Sequence, residues 1–222
     1  MLGPNPESSS NTFRRRRIWL LNHLVERVAA QGRKCTVIDI GGTYGFWQAW
    51  RDEVDWTKVA VVSVNLDRNH IETGDHSMDV RVVHGDARKL DFVADNEFDI
   101  AFSNSVIEHV GMWSDMLAVA NEIRRVAPRY LVQTPYFWFP IEPHARVPLI
   151  HWLPESLAYR ILLGRSCGFW PRQTTVSGAV SKLQSARLID LRQMEALFPD
   201  ATIVKERFAG LIKSLMAVKQ DA

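Results

Sequence analysis

The segment Val37–Gly45, with the sequence VIDIGGTYG, constrains the fold of this chain more strongly than any other. A β-branched apolar run that ends in an acid and meets glycines is typical of a buried strand followed by a tight turn. Glycine lets the backbone approach a ligand, because it has no Cβ and tolerates positive φ. In open α/β sheets, nucleotide-like ligands bind at the carboxyl end of the first strand. The segment therefore predicts a ligand site where the sheet begins.

Length and composition favour a single globular domain. The 222 residues can form one full core with an insertion, and 46% hydrophobic and 23% charged residues are ordinary values. A net charge of +2 gives no strong nucleic-acid signal, and no apolar run is long enough for a transmembrane segment. Cys35 and Cys167 are too few for a disulfide framework or a metal-ligand pattern, so a reducing, cytoplasmic location is expected.

Strand and helix patterns alternate along most of the chain, which predicts a parallel sheet covered on both faces. Residues 1–12 are rich in Ser, Asn and Pro and are expected to form a disordered tail. An amphipathic helix follows from Phe13 to about Ala30. Two later helices are predicted at Ser114–Val126 and Leu188–Leu197. The predicted strands are Cys35–Ile40, Val59–Leu66, Val80–His84, Phe98–Ser103, Tyr130–Thr134, Ala201–Arg207 and Leu211–Val218.

Residues 135–187 interrupt this alternation. They hold six of the ten prolines together with Trp138, Trp152 and Trp170. A long departure of this kind inside a compact domain is usually functional, so we expect an insertion that forms a lid within a domain spanning 13–222. The three tryptophans could stack on a sugar or an aromatic ring, or they could form a small satellite core.

Polar residues and glycines follow four of the predicted strands, where the carboxyl ends of parallel strands meet at one edge of the sheet. An acid such as Asp67, after the second strand, can accept hydrogen bonds from both hydroxyls of a ribose. Asp86, after the third strand, is placed to meet an adenine amino group. The full set of candidate ligand-binding residues is Asp39, Gly41, Gly42, Gly45, Asp67, Asp86, Ala87, Ser103 and Asn104.

With these residues in order, the sequence from about Val37 to Val218 resembles the class I S-adenosylmethionine-dependent methyltransferases. The first motif of that family is acid-x-Gly-x-Gly-x-Gly. Asp39, Gly41 and Gly45 match it, but Thr43 replaces the middle glycine. The segment LRQMEALFPDATIVKERFAGLIKSLMAV is similar to the last helix and two strands of the family, in which the final strand is antiparallel. The segment TPYFWFPIEPHARVPLIHWLP resembles bacterial small-molecule and glycan-modifying members.

The resemblance implies a Rossmann-like, mostly parallel seven-stranded sheet with helices on both faces. It also implies that S-adenosylmethionine is the cofactor and that the residues after the strands bind it. We favour O-methylation of a small polar acceptor, such as a sugar or a lipid-linked glycan. An N- or C-methyltransferase of a small metabolite or RNA is an alternative, and a non-catalytic S-adenosylmethionine-binding scaffold is another. A homodimer is also left open.

Glu108 and His109 follow the fourth strand and match a motif of the family, so they are candidate catalytic residues. Alternatively, Glu108 hydrogen-bonds the backbone and His109 packs. The small-RNA 2′-O-methyltransferases carry Glu-x-x-Glu-His here as magnesium ligands, but Ser105 stands at the first position in this chain. A hard cation prefers several oxygen ligands. We therefore expect no metal, and no other compact cluster of Asp, Glu and His.

His144 is the preferred candidate for a general base, because histidine titrates near neutral pH and Glu142 lies two residues before it. His151 is expected to pack, and both histidines could instead cap or pack local turns. The charge run Arg14–Arg17 is expected to be a solvated face, with an anion-attracting cover over the site as the alternative.

Overall fold

The computed structural model describes residues 9–68 and 77–221. Helices and strands alternate through most of this range, as the sequence predicts. The elements are α1 (Ser9–Ala29), β1 (Cys35–Ile40), α2 (Tyr44–Ala49), β2 (Val59–Asn65), β3 (Val80–His84), β4 (Ile100–Asn104), α3 (Trp113–Val126), β5 (Arg129–Pro135), α4 (Glu155–Gly164), α5 (Val176–Gln184), α6 (Leu191–Leu197), β6 (Thr202–Phe208) and β7 (Leu211–Lys219), with short 3₁₀-helices at Arg51–Glu53, Ile107–His109 and Ile150–Trp152.

Within the described residues, seven strands form one sheet in the order β3-β2-β1-β4-β5-β7-β6. Strands β1 to β5 are parallel, and β7 is antiparallel to both β5 and β6. The chain leaves β1 towards β2 and β3 and then returns to β4 on the other side of β1. Ligands bind open α/β sheets at such a reversal, so this topology marks the carboxyl ends of β1 and β4. The predicted Rossmann-like, mostly parallel sheet is confirmed.

Helices cover both faces of the sheet, which explains why its central strands are apolar throughout. Val37 and Ile38 are neighbours on β1 but lie in different core clusters, because successive side chains of a strand point to opposite faces. Val37 packs in the cluster that α1 and α2 complete, which contains Trp47. Ile38 packs in the cluster that α3 and α6 complete, which contains Met116 and Leu197.

Helix boundaries differ from the predicted ones in two places. The predicted disordered tail is wrong for residues 9–12, which form the start of α1, while residues 1–8 lie outside the described part. Ser, Asn and Thr are common both in disordered tails and at helix starts, so composition did not separate the two. Helix α6 begins at Leu191 because Asp190 is its N-cap, with a side chain that accepts a hydrogen bond from the Gln193 N–H.

Residues 135–187 form an insertion with a core of its own, in which α4 and α5 pack together. Trp170 is buried in that core, so the satellite-core interpretation holds for it. Trp138 and Trp152 are instead 56% and 38% exposed, which leaves their aromatic faces available to a ligand. No helix in the described part of the chain has the length and apolar character of a membrane span.

Candidate active site

The turn after β1 requires glycine at two positions. Gly41 has a φ of +78°, and a Cβ there would come within 2.5 Å of the Val106 side chain. A Cβ on Gly42 would overlap the carboxylate of Asp39. Thr43 needs no such freedom, because its extended backbone makes it the N-cap of α2 and its hydroxyl accepts from the Phe46 N–H at 3.2 Å. The replacement of the family's middle glycine by Thr43 is therefore compatible with the turn.

Asp39 supports this turn from within the core. It is buried, and its Oδ2 accepts hydrogen bonds from Trp47 Nε1 at 2.8 Å and from Ser63 Oγ at 3.2 Å. Burial raises the pKa of Asp39 to about 7, although both hydrogen bonds act in the opposite direction. Gly45 differs from the other glycines, because a Cβ there would meet no atom within 4 Å. A role for Gly45 in cofactor binding stays a prediction.

A cavity of about 140 Å³ lies between the ends of β1 and β4. Complete small-molecule sites usually measure roughly 300–1,000 Å³, so this cavity would enclose only part of a nucleotide-like ligand. Four of the nine predicted binding residues line it. The lining residues are Asp39, Ile40, Gly41, Gly42, Thr43, Phe46, Phe102, Asn104 and Val106.

The two residues that end β4 have different environments. Ser103 is buried, and its hydroxyl donates to the Ile40 carbonyl at 3.3 Å, so it joins β4 to β1. Asn104 lines the cavity, and its Oδ1 accepts from Arg17 Nη1 at 2.8 Å. Arg17 also donates to the buried Glu206 at 3.0 Å. This contact between α1 and the cavity was not predicted from the sequence.

The expectation that Arg14–Arg17 form a solvated face is wrong for Arg17, which is 6% exposed. Arg17 lies one helical turn before the buried Leu21, and that spacing was the signal available in the sequence. Arg15, by contrast, is exposed and pairs with Glu53 at 3.0 Å.

Asp67 and Asp86 lie beyond β2 and β3, at the same edge of the sheet as the cavity. Asp67 is exposed and is followed by residues 69–76, which lie outside the described part. Asp86 accepts from Arg88 at 2.7 Å, and this hydrogen-bonded partner lowers its pKa. An adenine amino group would therefore share Asp86 with Arg88. Ala87 packs against the core beside it.

Glu108 is a buried carboxylate in the 3₁₀-helix that directly follows β4. Its Oε2 accepts from the Thr134 hydroxyl at 3.0 Å. Burial raises the pKa of Glu108, against the charge of His109 beside it. Among buried side-chain nitrogens and oxygens of the described residues, only Glu108 Oε1 and His151 Nδ1 lack a hydrogen-bond partner. A buried polar atom without a partner requires a physical explanation, such as a bound ion or water molecule.

His144 faces this carboxylate from the insertion, and its position is tightly held. Its Nδ1 lies 2.6 Å from Glu142 Oε1, and the other oxygen of Glu142 accepts the backbone N–H groups of His144 and Ala145. The ring stacks on Trp170 with centroids 6.1 Å apart. Burial alone would lower the pKa of His144, but the hydrogen bond and charge of Glu142 outweigh burial and raise it.

His109 completes the group. Its ring centroid lies 4.8 Å from that of His144, and its Nδ1 lies 2.7 Å from the Ser185 carbonyl oxygen. One ligand-type atom from each of Glu108, His109 and His144 lies within 4.8 Å of the others. We call these three residues the acid–histidine cluster. Nothing in the sequence indicated a further ligand beside Glu108 and His109, but the insertion folds back over the end of β4 and adds His144 to them. The expectation that no metal binds stays a prediction.

A larger cleft of about 530 Å³ lies between the insertion and residues 188–193, next to the cluster, and we call it the insertion cleft. Two of its lining residues, Glu142 and Trp170, also contact His144. His151, which was expected to pack, lines the cleft while its Nε2 bonds the Phe137 carbonyl oxygen at 2.8 Å. The lining residues are Phe137, Trp138, Glu142, Ile150, His151, Leu153, Glu155, Ala158, Trp170, Leu183, Ala186, Arg187, Leu188, Asp190, Arg192 and Gln193.

Comparison with protein families matches part of the chain. Residues 26–129 match the family model described as a methyltransferase domain. The match covers slightly less than half of the 222 residues. The matched range runs from α1 to the start of β5, so it contains Glu108 and His109 but not His144.

A relative of unassigned function is similar to part of the chain. The uncharacterized protein Rv1509 of Mycobacterium tuberculosis is 33% identical over 75 residues, which are 34% of this chain and 25% of the relative. The similarity therefore spans only about a quarter of that protein's length.

Two solved structures show the shared fold. The DszA carbon methyltransferase superimposes with a TM-score of 0.60 at 11% identity, covering 97% of this chain and 56% of that one. Magnesium protoporphyrin IX methyltransferase (ChlM) from Synechocystis PCC 6803, crystallised with bound SAH, gives a TM-score of 0.51 at 11% identity, with 98% and 90% coverage. At these identities the comparison supports the fold and leaves the acceptor to be argued from the site.

Proposed function

We propose that the protein transfers the methyl group of S-adenosylmethionine to an oxygen of a small polar acceptor, such as a sugar or a lipid-linked glycan. The position of the acid–histidine cluster carries this proposal. Val106 lines the cavity at the end of β1, and Glu108 follows it by two residues. On its other side the cluster contacts the walls of the insertion cleft. A group that bridges two cavities is suited to act on an acceptor that meets a cofactor.

The residues around the first cavity fit the cofactor. The turn at Gly41 and Gly42 has no side chains, so the backbone can approach a ligand. Asp67 would accept hydrogen bonds from the ribose hydroxyls, and Asp86 would meet the adenine. When bound, S-adenosylmethionine supplies a methyl group on a sulfonium, which is already a good leaving group. The chain's main task is therefore to align the acceptor and exclude water.

The reaction requires one proton to leave the acceptor. The acceptor oxygen forms a bond to the methyl carbon while the carbon–sulfur bond breaks, and the electron pair of that bond stays on sulfur. The hydroxyl proton passes to a base during this step. His144 is the candidate base on the chain, because its Nδ1 is engaged by Glu142 and its Nε2 is left to accept a proton.

The insertion cleft supports a small acceptor with both polar and apolar groups. Its volume lies within the usual range for small-molecule sites, and charged side chains such as Arg187 and Asp190 lie among aromatic ones. Trp138 and Trp152 are exposed with ring centroids 5.8 Å apart. Aromatic faces of this kind stack on the apolar faces of sugars.

Product analysis tests the proposal. The full chain would be incubated with S-adenosylmethionine and fractionated cell extract, and products that gain one CH₂ group would be located by mass spectrometry. A new methyl ether is the expected product. A methyl group on nitrogen or carbon would overturn O-methylation. Binding of S-adenosylhomocysteine without turnover on any fraction would instead indicate the non-catalytic scaffold.

Asp67→Ala tests the cofactor side separately. Loss of hydrogen bonds to a buried ribose should weaken S-adenosylhomocysteine binding by about 1.5–3 kcal/mol. Titration calorimetry measures this change, and circular dichroism checks that the variant is folded. An unchanged affinity would remove Asp67 from the binding site.

A further inference from the structure

Glu108 Oε1 is a buried oxygen without a hydrogen-bond partner, and methyl transfer alone does not explain its position. A buried carboxylate oxygen without a donor is costly, because it has lost its water and gained nothing in return. Thr134 satisfies only the other oxygen. A carboxylate oxygen of Glu108 lies within 4.8 Å of a ring nitrogen of His109 and of a ring nitrogen of His144. A positively charged ligand would offset this cost, because it would stabilise the negative charge of the Glu108 carboxylate.

Both histidines have their ring protons in fixed positions. The Ser185 carbonyl can only accept a hydrogen bond, so His109 must carry its proton on Nδ1 when neutral. The carboxylate of Glu142 fixes His144 in the same way. Each ring therefore keeps a lone pair on Nε2. Metal-binding histidines have this arrangement, with the second ring nitrogen donating to a carbonyl or carboxylate.

The ligand set indicates the kind of cation. Two imidazole nitrogens and one carboxylate suit d-block cations better than Mg²⁺ or Ca²⁺, which prefer oxygen ligands. With bonds of about 2.1 Å, the three ligand atoms would lie roughly 3–3.5 Å apart. They lie within 4.8 Å of one another in this structure, so a small inward shift of the exposed His109, with its bond to the Ser185 carbonyl kept, would close the set.

We propose that Glu108, His109 and His144 bind one divalent d-block cation, such as Mn²⁺, Co²⁺ or Zn²⁺. The prediction of a metal-free site rested on Ser105 at the first ligand position and on the expected absence of another compact cluster of Asp, Glu and His. The fold adds His144 from the insertion, together with Glu142 as the carboxylate that holds its ring. A site of three protein ligands leaves coordination positions open for other molecules.

The role of the cation in catalysis rests on the proposed function, whereas its binding does not. A hydroxyl that coordinates a cation loses its proton more readily and is held in a defined direction. Water would then take the proton, and His144 would serve as a ligand instead of the base. If His144 served as the base without a cation, Glu108 Oε1 would remain buried without a partner.

Cation binding by the full chain tests the inference directly. Protein stripped with EDTA and dialysed would be titrated by calorimetry with Mn²⁺, Co²⁺ and Zn²⁺, and the Co²⁺ sample would be followed by visible absorption. We expect one equivalent of cation and a Co²⁺ spectrum with nitrogen and oxygen ligands. Glu108→Gln, His109→Ala and His144→Ala should each weaken binding at least tenfold. Glu142→Gln should weaken it about 10- to 100-fold.

His23→Ala is the matched control, because it removes an exposed histidine on α1 and should leave cation affinity unchanged. Circular dichroism and S-adenosylhomocysteine binding establish that each variant is folded, and the Co²⁺ spectrum of the unmodified chain needs no variant. Absence of one-to-one binding, or equal affinity in all cluster variants, would overturn the site. If methyl transfer also survives chelation, the proposed function stands without the cation. Binding at the cluster with no methyl acceptor found would keep the site and reject the proposed function.

Discussion

At the scale of single residues, Asp39 is buried in a position where ionisation is costly. Its pKa is raised from 3.8 to about 7, so the folded state holds a proton that the unfolded state releases near pH 4. Stability from this group is complete below about pH 4 and is lost as pH rises through about 7, by roughly 4 kcal/mol in total. Asp39→Asn does not ionise. Relative to the unmodified protein, the variant should therefore gain stability as pH rises from about 4 to 8.

Thermal unfolding of both proteins across this pH range measures the effect of Asp39. The difference between the two isolates this group, because other titrating residues are common to both proteins. A difference in melting temperature that does not change with pH would contradict the assigned burial cost.

Gly41 and Gly45 provide a second test at the residue scale. Gly41→Ala forces a Cβ against Val106 in a left-handed backbone, so we expect a loss of about 1–3 kcal/mol in stability and weaker cofactor binding. Gly45→Ala is the matched control for stability, because its Cβ would meet no atom within 4 Å and its φ is not positive. Chemical denaturation and S-adenosylhomocysteine titration measure both variants. Equal losses of stability in the two variants would show that the backbone of the turn does not require glycine at Gly41.

At the scale of elements, the strands were predictable and their surroundings were not. The predicted bounds of β1 and β3 agree with the structure, because buried parallel strands have a local apolar pattern. The sequences of α4 and α5 have no such pattern from which their bounds could be predicted. These helices depend on packing around Trp170 and Leu162 in a core made only by the insertion. The prolines and tryptophans of residues 135–187 predicted an insertion but did not predict where its helices lie.

The attachment of α1 to the sheet gives a prediction at the same scale. Arg17 and Glu206 form a buried ion pair between α1 and β6. Arg17→Ala would leave the Glu206 charge buried and unpaired, which typically costs about 3–5 kcal/mol. Arg17→Met combined with Glu206→Met should cost less than Arg17→Ala, because no charge remains. Urea denaturation of the single and double variants measures this, and additive losses would contradict the pairing.

At the scale of the whole molecule, the position of the strand-end residues was predictable and the surroundings of the insertion were not. Asp39, Gly41 and Asp67 lie at the ends of predicted strands, and parallel strands bring their carboxyl ends together without further information. The acid–histidine cluster depends on how the insertion folds back onto β4, which no local pattern specifies. Pairing of Asp86 with Arg88 and the burial of Arg17 also depend on neighbours in space. The sequence therefore predicted which edge of the sheet gathers these residues but not the contacts that they make.

The last prediction concerns the insertion cleft. Substitutions there should weaken acceptor binding and leave cofactor binding unchanged. Trp138→Ala removes an exposed ring that lines the cleft, and Trp152→Ala removes the exposed ring beside it, at 5.8 Å between centroids. Loss of stacking on the acceptor should cost about 0.5–1.5 kcal/mol, which raises KM roughly 2- to 12-fold. S-adenosylhomocysteine affinity should not change, because we propose that this ligand binds at the ends of the early strands.

Trp19→Ala is the control for these variants, because Trp19 is an exposed tryptophan on α1, outside the lining of the cleft. Steady-state kinetics with the acceptor from product analysis gives KM, and calorimetry gives cofactor affinity. A KM raised equally in Trp19→Ala would mean that loss of any surface tryptophan has this effect. An unchanged KM in both cleft variants would place the acceptor elsewhere. The acceptor would then have to reach the cluster from the side of Glu108 and His109, without contact to the insertion's aromatic wall.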